Sequence, residues 1–229
     1  MLAKLGSRRE MAEAIKHNRV MVNGSPAMSF KLLVNTAHDH VTLDGRPIIL
    51  QAEESVYVML NKPAGVLSTT SDKRGRRTVI DLLPREYRGL GLYPVGRLDL
   101  DSTGLIILTN DGTLTHRLTH PSFEKEKEYV IALDRALLPE DKQKFEQGLE
   151  LEDGPTHPAV VRNSGAGQFS YSIVLHEGRK RQLRRMFASL GYRVLLLRRI
   201  RMGNLHLGNL PEGCSRQLSA AEIASLLIF

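Results

Sequence analysis

The segment Tyr93-Pro-Val-Gly-Arg-Leu-Asp-Leu-Asp-Ser-Thr-Gly-Leu-Ile-Ile-Leu-Thr-Asn-Asp-Gly112 constrains this chain more than any other. Leu105-Ile106-Ile107-Leu108 is an unbroken apolar run and reads as a buried strand. Asn110-Asp111-Gly112 is turn chemistry that ends it. Just before the strand, Arg97 and Asp99 stand two residues apart in a glycine-flanked segment. Charges placed beside a core strand need partners or a purpose. The question set by the sequence is what Asp99 does.

The other residues narrow the answer. At 229 residues, the chain fits one large domain or a small domain plus a medium one. A composition that is 41% hydrophobic and 25% charged is that of a globular protein. No apolar run approaches the ~20 residues of a membrane span. The N-terminus lacks the apolar stretch of a secretory signal. Cys214 is the only cysteine, which excludes an internal disulfide and a cysteine metal site and fits a reducing cytoplasm. His116 and His120 are four apart, but no carboxylate pattern accompanies them, so no metal is expected. The net charge is +7, while Gly178 to Arg201 alone carries nine arginines and lysines and no acid. Such a concentration predicts a surface for a polyanion.

Residues 1–45 read as a small separate unit, 46–54 as a linker and 55–229 as the main domain. In the first unit, Ser7-Arg-Arg-Glu10 fits a helix capping box, and Asn18 fits a helix stop. Val20-Met-Val-Asn-Gly24 and Val41 to Gly45 are strand-and-turn patterns. In the main domain, Val56–Leu60 predicts a strand running into a loop at Asn61-Lys-Pro-Ala-Gly65. Ser68–Arg77, with Lys73, Arg74, Arg76 and Arg77, predicts a mobile loop open to a phosphate backbone. A short helix around Leu114–Leu118, a strand from Tyr129, a helix over 139–149 and strands over 157–161 and 169–175 follow. Leu183, Met186, Phe187 and Leu190 have helical spacing, and Gly191 caps them. A strand over 193–202 and a final helix opened by Ser219-Ala-Ala-Glu222 complete an α+β domain with a mixed, mainly antiparallel sheet.

A single carboxylate near basic residues excludes much chemistry. No glycine-rich phosphate loop or metal carboxylate cluster supports phosphoryl transfer. No G-x-S-x-G elbow supports a serine hydrolase. Asp99 and Asp101 are too close in sequence to straddle a sugar as a glycosidase pair, so Asp101 reads as structural. A reaction at a glycosidic bond that needs one carboxylate, no cofactor and no external water remains, and isomerisation of uridine meets that description.

Four motifs make this reading more specific. Gly96-Arg-Leu-Asp99 with Ser102-Thr-Gly-Leu and Thr109-Asn-Asp-Gly112, Asn61-Lys-Pro-Ala-Gly65, Glu126-Lys-Glu-Tyr129 and Glu177-Gly-Arg-x-x-Gln-x-Arg-Arg-Met186 occur along the chain. Together they resemble the RsuA/RluB-type ribosomal RNA pseudouridine synthases. Residues 2–44 similarly resemble the small RNA-binding module first known from a small-subunit ribosomal protein. That module usually has several more opening residues, so its first helical turn is expected to be missing or frayed.

The resemblance implies roles. Asp99 would be the essential carboxylate. Arg97 would fill the gap left when the uridine flips out of the RNA. Tyr129 would stack on the uracil and assist proton removal from its C5, and Arg184 would pair with Asp99 and hold it ionised, with Arg179 and Arg185 of the same motif as the other candidates for that pair. Leu183 is read as core, with a position beside the base as its other role. Arg8, Arg9, Lys62, Arg74, Arg76, Arg77, Arg179, Arg181 and Arg185 are the expected RNA contacts. Ribosomal RNA, free or in a precursor particle, would be the partner of a monomer. The alternative is a non-catalytic ribosome-associated RNA-binding protein.

Overall fold

The computed structural model describes residues 6, 8–35, 37–48 and 54–228, and the chain divides into units of residues 1–54 and 55–229. In the first unit, α1 (Arg8–Lys16) is followed by β1 (Val20–Val22), β2 (Ser25–Pro26), β3 (Val41–Leu43) and β4 (Arg46–Pro47). The sheet order is β2-β1-β3-β4. Asn18 ends the helix region with a φ of 54°. Asn23 (φ 50°) with Gly24 (φ 81°), and Asp44 (φ 53°) with Gly45 (φ 76°), make the two tight turns. Consecutive positive φ angles are the type I′ hairpin geometry that Asn-Gly and Asp-Gly favour. The Asn23 amide also donates to Asp39 Oδ1 at 2.7 Å and accepts from the His40 N–H at 2.9 Å. Arg46 and Pro47 pair with β3, so they belong to this sheet rather than to a linker. Ser7, expected to cap α1, lies outside the described residues.

The second unit is built on a nine-stranded sheet. Its elements are β5 (Tyr57–Lys62), β6 (Tyr93–Pro94), β7 (Thr103–Thr109), α2 (Gly112–Thr119), β8 (Lys127–Leu133), α3 (Pro139–Gln147), β9 (Glu150–Leu151), β10 (Gly154–Pro155), β11 (Val160–Ala166), β12 (Phe169–Leu175), α4 (Gln182–Ser189), β13 (Val194–Met202), β14 (Leu205–His206), β15 (Ser215–Gln217) and α5 (Ala220–Leu227). The order is β11-β12-β8-β13-β7-β5-β15, with β14 beside β13 and β6 beside β7; β9 and β10 form a separate hairpin. The helix ends follow capping chemistry: Asp111 accepts from the Thr113 and Leu114 N–H groups at the start of α2, and Ser219 with Glu222 forms a reciprocal box at α5.

The apolar run predicted as a buried strand is β7, whose residues Leu105 to Leu108 are fully buried. The physical reason is that both faces are covered. Leu105 and Ile107 pack with Met59, Leu114, Leu118 and Leu226, beneath α2 and α5. Ile106 and Leu108 pack with Val58, Leu60, Val79 and Leu98 on the other face. A third cluster joins Ile131, Ile173 and Leu197 to Leu183, Met186 and Phe187 of α4. Leu183 therefore packs in the core, as its helical spacing implied.

The two halves of the sheet meet where β7 and β13 run parallel, through Thr103↔Arg198 and Gly104↔Arg199. A Cβ on Gly104 would lie 2.2 Å from the Arg199 carbonyl oxygen and 2.7 Å from its nitrogen, and Gly104 has a φ of +103°. Only glycine fits that approach. Gly104→Ala should therefore destabilise the fold by about 3 kcal/mol or more, from backbone displacement plus conformational strain. Urea unfolding followed by circular dichroism would measure it.

Candidate active site

Asp99 lies on the loop between β6 and β7, and the backbone of this loop is fastened from several directions. The Ser68 hydroxyl donates to the Leu98 carbonyl at 2.9 Å and accepts from the Leu98 N–H at 3.1 Å. The Gly65 N–H donates to the Leu100 carbonyl at 2.8 Å. Lys62 Nζ donates to the Ser102 carbonyl at 2.9 Å, and Arg184 donates to the Asp101 carbonyl at 3.0 Å. The Leu98 side chain is buried in the core beside Val66 and Val79. These contacts preorganise the loop, leaving Asp99 half-buried.

Lys62 is thus not an RNA contact. It continues β5, has no exposure, and also donates to the Pro63 carbonyl at 2.9 Å. Burial lowers its pKa to about 8, against the opposing pull of Asp101 and Asp99. The predicted strand stops at Leu60, but the buried strand runs on through Asn61 and Lys62 because interior carbonyls receive the ammonium.

The expected pair between Arg184 and Asp99 is also replaced. Arg184 Nε lies 3.3 Å from Asp101 Oδ2, and Arg181 makes two hydrogen bonds of 3.1 Å to the Asp101 carboxylate. Burial alone would raise the Asp101 carboxyl, but the Arg181 hydrogen bonds and the Arg184 charge outweigh it and hold it below the usual range. Asp99 contributes to the electrostatic environment of Lys62, Arg181 and Arg184 without an ion pair of its own among the described residues. Asp101, read as structural from its position, is the acid that gathers the arginines.

Arg179, Arg185 and Arg201 of the basic segment are similarly engaged. Arg179 donates to Glu177 Oε2 at 2.9 Å, to the Gly154 carbonyl at 2.8 Å and to the Pro155 carbonyl. Arg185 grips the Asp153 carboxylate at 2.8 and 2.9 Å. Arg201 bonds Glu128 at 2.8 Å and Glu126 at 2.9 Å. Arg179, Arg181 and Arg185, the expected RNA contacts of this segment, are each paired with an acid: Arg179 with Glu177 two residues before it, Arg181 with Asp101 and Arg185 with Asp153 from other elements. Glu177 also accepts from Gln182 Nε2 at 2.6 Å and from the His157 N–H at 3.0 Å, while Gln182 Oε1 accepts from the Arg179 N–H at 3.0 Å. This network sets the entry to α4, where Arg181 adopts a left-handed conformation with a φ of 51°.

The 68–77 loop has anchors that its polar sequence did not suggest. Asp72 accepts from the Arg74 and Arg76 N–H groups at 3.1 Å and from the Arg76 guanidinium at 2.8 Å. Lys73, Arg74 and Arg77 are exposed, and no ion pair involves them among the described residues. In the first unit, Arg9 is exposed; the Arg8 side chain lies outside the described ones.

Asp99 opens on a cavity of about 410 Å³ whose lining includes Arg97, Tyr129, Lys127, Leu183, Gln182 and Arg199. Tyr129 comes from β8 and packs between two of the core clusters. Arg199, directly across from it on β13, is buried. A bulge between Arg199 and Arg201 separates their roles: Arg199 joins Tyr129, whereas Arg201 pairs with Glu128. Residues 56–189 match the family described as RNA pseudouridylate synthase. This chain belongs to that family.

Members of the family align over nearly its whole length. An uncharacterized RNA pseudouridine synthase of Mycobacterium leprae is 41% identical over 98% of this chain and 88% of its own. The ribosomal large subunit pseudouridine synthase B of Bacillus subtilis is 36% identical over 98% and 91%. A crystal structure of a pseudouridylate synthase superposes with a TM-score of 0.70 at 32% identity, covering 96% of this chain and 94% of that one. The enzyme class is accordingly RNA pseudouridine synthase, with the expected α+β fold. No described helix is long and apolar enough to cross a membrane.

Several site residues had no individual role in the sequence reading: Ser68, Lys127, Gln182, Glu177 and Arg199. Lys127 could have been placed, because it lies two residues before Tyr129 on one strand and so shares its face. Arg199 could not, because its position depends on the bulge that follows it.

The Lys62 environment has a pH signature. Its folded pKa is about 8 against an ordinary 10.5, so the unfolded chain holds more protons between those values. Stability from this side chain therefore rises with pH in that interval and is least well below pH 8. The difference in unfolding free energy between wild type and Lys62→Met should be flat from pH 6 to 7 and shift in favour of wild type from pH 8 to 10. Paired urea titrations would check both the direction and the interval.

Proposed function

We propose that this synthase isomerises a uridine of ribosomal RNA to pseudouridine after extruding the nucleotide into the Asp99 cavity. The observation that carries the reading is Asp99 itself, a carboxylate on a fastened loop, opening on a cavity beside Tyr129 and without an ion-pair partner of its own among the described residues. The name of the Bacillus subtilis relative supports ribosomal RNA as the substrate. Such work would be done in the cytoplasm.

The reaction is balanced without water, redox change or cofactor. The bond from C1′ to N1 breaks, and its electron pair leaves with the base. The base turns, C5 bonds to C1′, the C5 proton departs, and N1 gains a proton. Asp99 assists as a nucleophile at C1′ or as a base on the sugar. Arg184, by holding the Asp101 carboxylate and donating to its carbonyl, keeps the Asp99 loop in place. The Tyr129 ring would stack on the uracil, and its hydroxyl would help remove the C5 proton. Arg97, exposed at the cavity mouth, enters the space vacated by the base.

Residues 8–48 would act as an RNA-binding module, with exposed Arg9 and Lys16 on α1 meeting the phosphate backbone. Lys73, Arg74 and Arg77 would extend that contact. A purely RNA-binding role would leave the cavity, and a carboxylate without an ion pair among the described residues, without a use.

Asp99→Asn should abolish tritium release from ribosomal RNA labelled at C5 of uridine, a loss of at least ~10³-fold, with RNA affinity within about threefold of wild type. Full turnover in Asp99→Asn would exclude Asp99 as the essential group. The charged residues separate differently. Replacing Lys73, Arg74 and Arg77 by alanine should lower the slope of log affinity against log salt by roughly one for each phosphate no longer neutralised. Arg185→Ala should leave that slope unchanged and lower the unfolding midpoint, because its partner is Asp153.

A further inference from the structure

Two cations line the cavity with no carboxylate in ion-pair distance of either among the described residues. Arg199 is 2% exposed. Its Nε donates to the Leu105 carbonyl at 2.7 Å, and its Nη2 has no hydrogen-bond partner among the described residues. Lys127 Nζ donates to the Lys125 carbonyl at 2.9 Å. Burial and then the charge of Arg199 lower the Lys127 pKa to about 8, against the attraction of Glu177. Arg179, Arg181, Arg185 and Arg201 nearby each have a carboxylate, whereas the exposed Arg97 has none among the described residues. A buried guanidinium with an unused nitrogen, facing a second cation, is costly unless an anion or a strong acceptor joins them.

The fold holds this arrangement in place. Arg199 is opposite Tyr129 on one side and Gly104 on the other. Lys127 shares the face of β8 that carries Tyr129. Arg199 and Lys127 therefore adjoin the ring proposed to stack on the uracil, while Asp99 is contributed by a different segment of the cavity wall. A uracil stacked on Tyr129 would present exocyclic oxygens to these two cations.

We propose that Arg199 and Lys127 bind the uracil oxygens O2 and O4 and stabilise the base as an anion while it is detached from the ribose. This inference rests on the uridine isomerisation proposed above and adds two catalytic residues to it. When the C1′–N1 bond breaks, the electron pair enters the uracil ring and is shared with O2 and O4. Two cations fixed beside the base lower the energy of that species more than that of the neutral bound nucleotide. Such differential stabilisation accelerates the chemical step. When C5 bonds to C1′ and N1 is protonated, the negative charge disappears and the grip relaxes.

The test uses full-length enzyme and unmodified transcripts of large- and small-subunit ribosomal RNA, tritiated at C5 of uridine. Single-turnover tritium release, RNA affinity and unfolding midpoint are measured for wild type, Arg199→Lys, Arg199→Gln and Lys127→Met. Expected is a rate loss of about 10²-fold in Arg199→Gln and in Lys127→Met, with affinity within about threefold. Arg199→Lys, which keeps the charge, should recover part of the rate. Should the Arg199 variants not fold, Lys127→Met decides. A wild-type rate in Lys127→Met overturns the proposal. Weakened affinity with an unchanged rate also overturns it, because these cations would then be holding backbone phosphate. No release by wild type from either transcript would overturn the underlying reading, and this one with it; release by wild type with equally active variants removes this one alone.

Discussion

The close approach of β7 to β13 at Gly104 and Arg199 is the constraint on which the site depends. These strands are joined by only two residue pairs, yet they connect the two halves of the sheet. With Gly104 lacking a side chain, the Arg199 backbone fits against it, and the Arg199 guanidinium reaches the Leu105 carbonyl. On one side of this seam, β7 follows the Asp99 loop; on the other, β13 pairs with β8 and so brings Tyr129 and Lys127 alongside. The carboxylate and the aromatic ring thus come from opposite halves of the sheet and meet because the seam is tight.

A second principle is that the sequence motifs mostly hold backbone. Lys62 and Gly65 bond the carbonyls of the Asp99 loop. Glu177, Arg179 and Gln182 bond one another and the β9–β10 hairpin. Their polarity signals function in a sequence, but their immediate contacts are structural. Catalytic precision requires such supports, because a carboxylate displaced by an ångström loses its alignment.

Much of the architecture was legible because its determinants are local. The Asn-Gly and Asp-Gly turns, the Ser219 capping box, the α4 apolar stripe and the buried β7 run each follow from short-range stereochemistry or periodicity. The charge pairing was not legible for the opposite reason. Gly178 to Arg201 contains no acid, and Arg181, Arg185 and Arg201 of its expected open cationic face are met by Asp101, Asp153, Glu126 and Glu128 from elsewhere in the chain, while Lys180 and Arg193 stay exposed. Asp99 was identifiable from its motif, but its lack of an ion-pair partner among the described residues was not, since the carboxylate that Arg184 meets is Asp101. Lys62 likewise looked like a loop cation until the depth of β5 was known.

The bonds that fasten the Asp99 loop link residues far apart along the chain: 30 positions for Ser68 and Leu98, 40 for Lys62 and Ser102, and 83 for Arg184 and Asp101. Local structure cannot form them. Each requires that intervening chain has already collapsed into the sheet, and long loops must be closed before these contacts give any return. Competence at Asp99 is therefore a late property of folding, gained when both halves of the sheet have joined. A nascent or partly unfolded chain could display its basic surface to RNA while lacking an assembled Asp99 loop, so the order of assembly itself separates attraction to RNA from the ability to alter it.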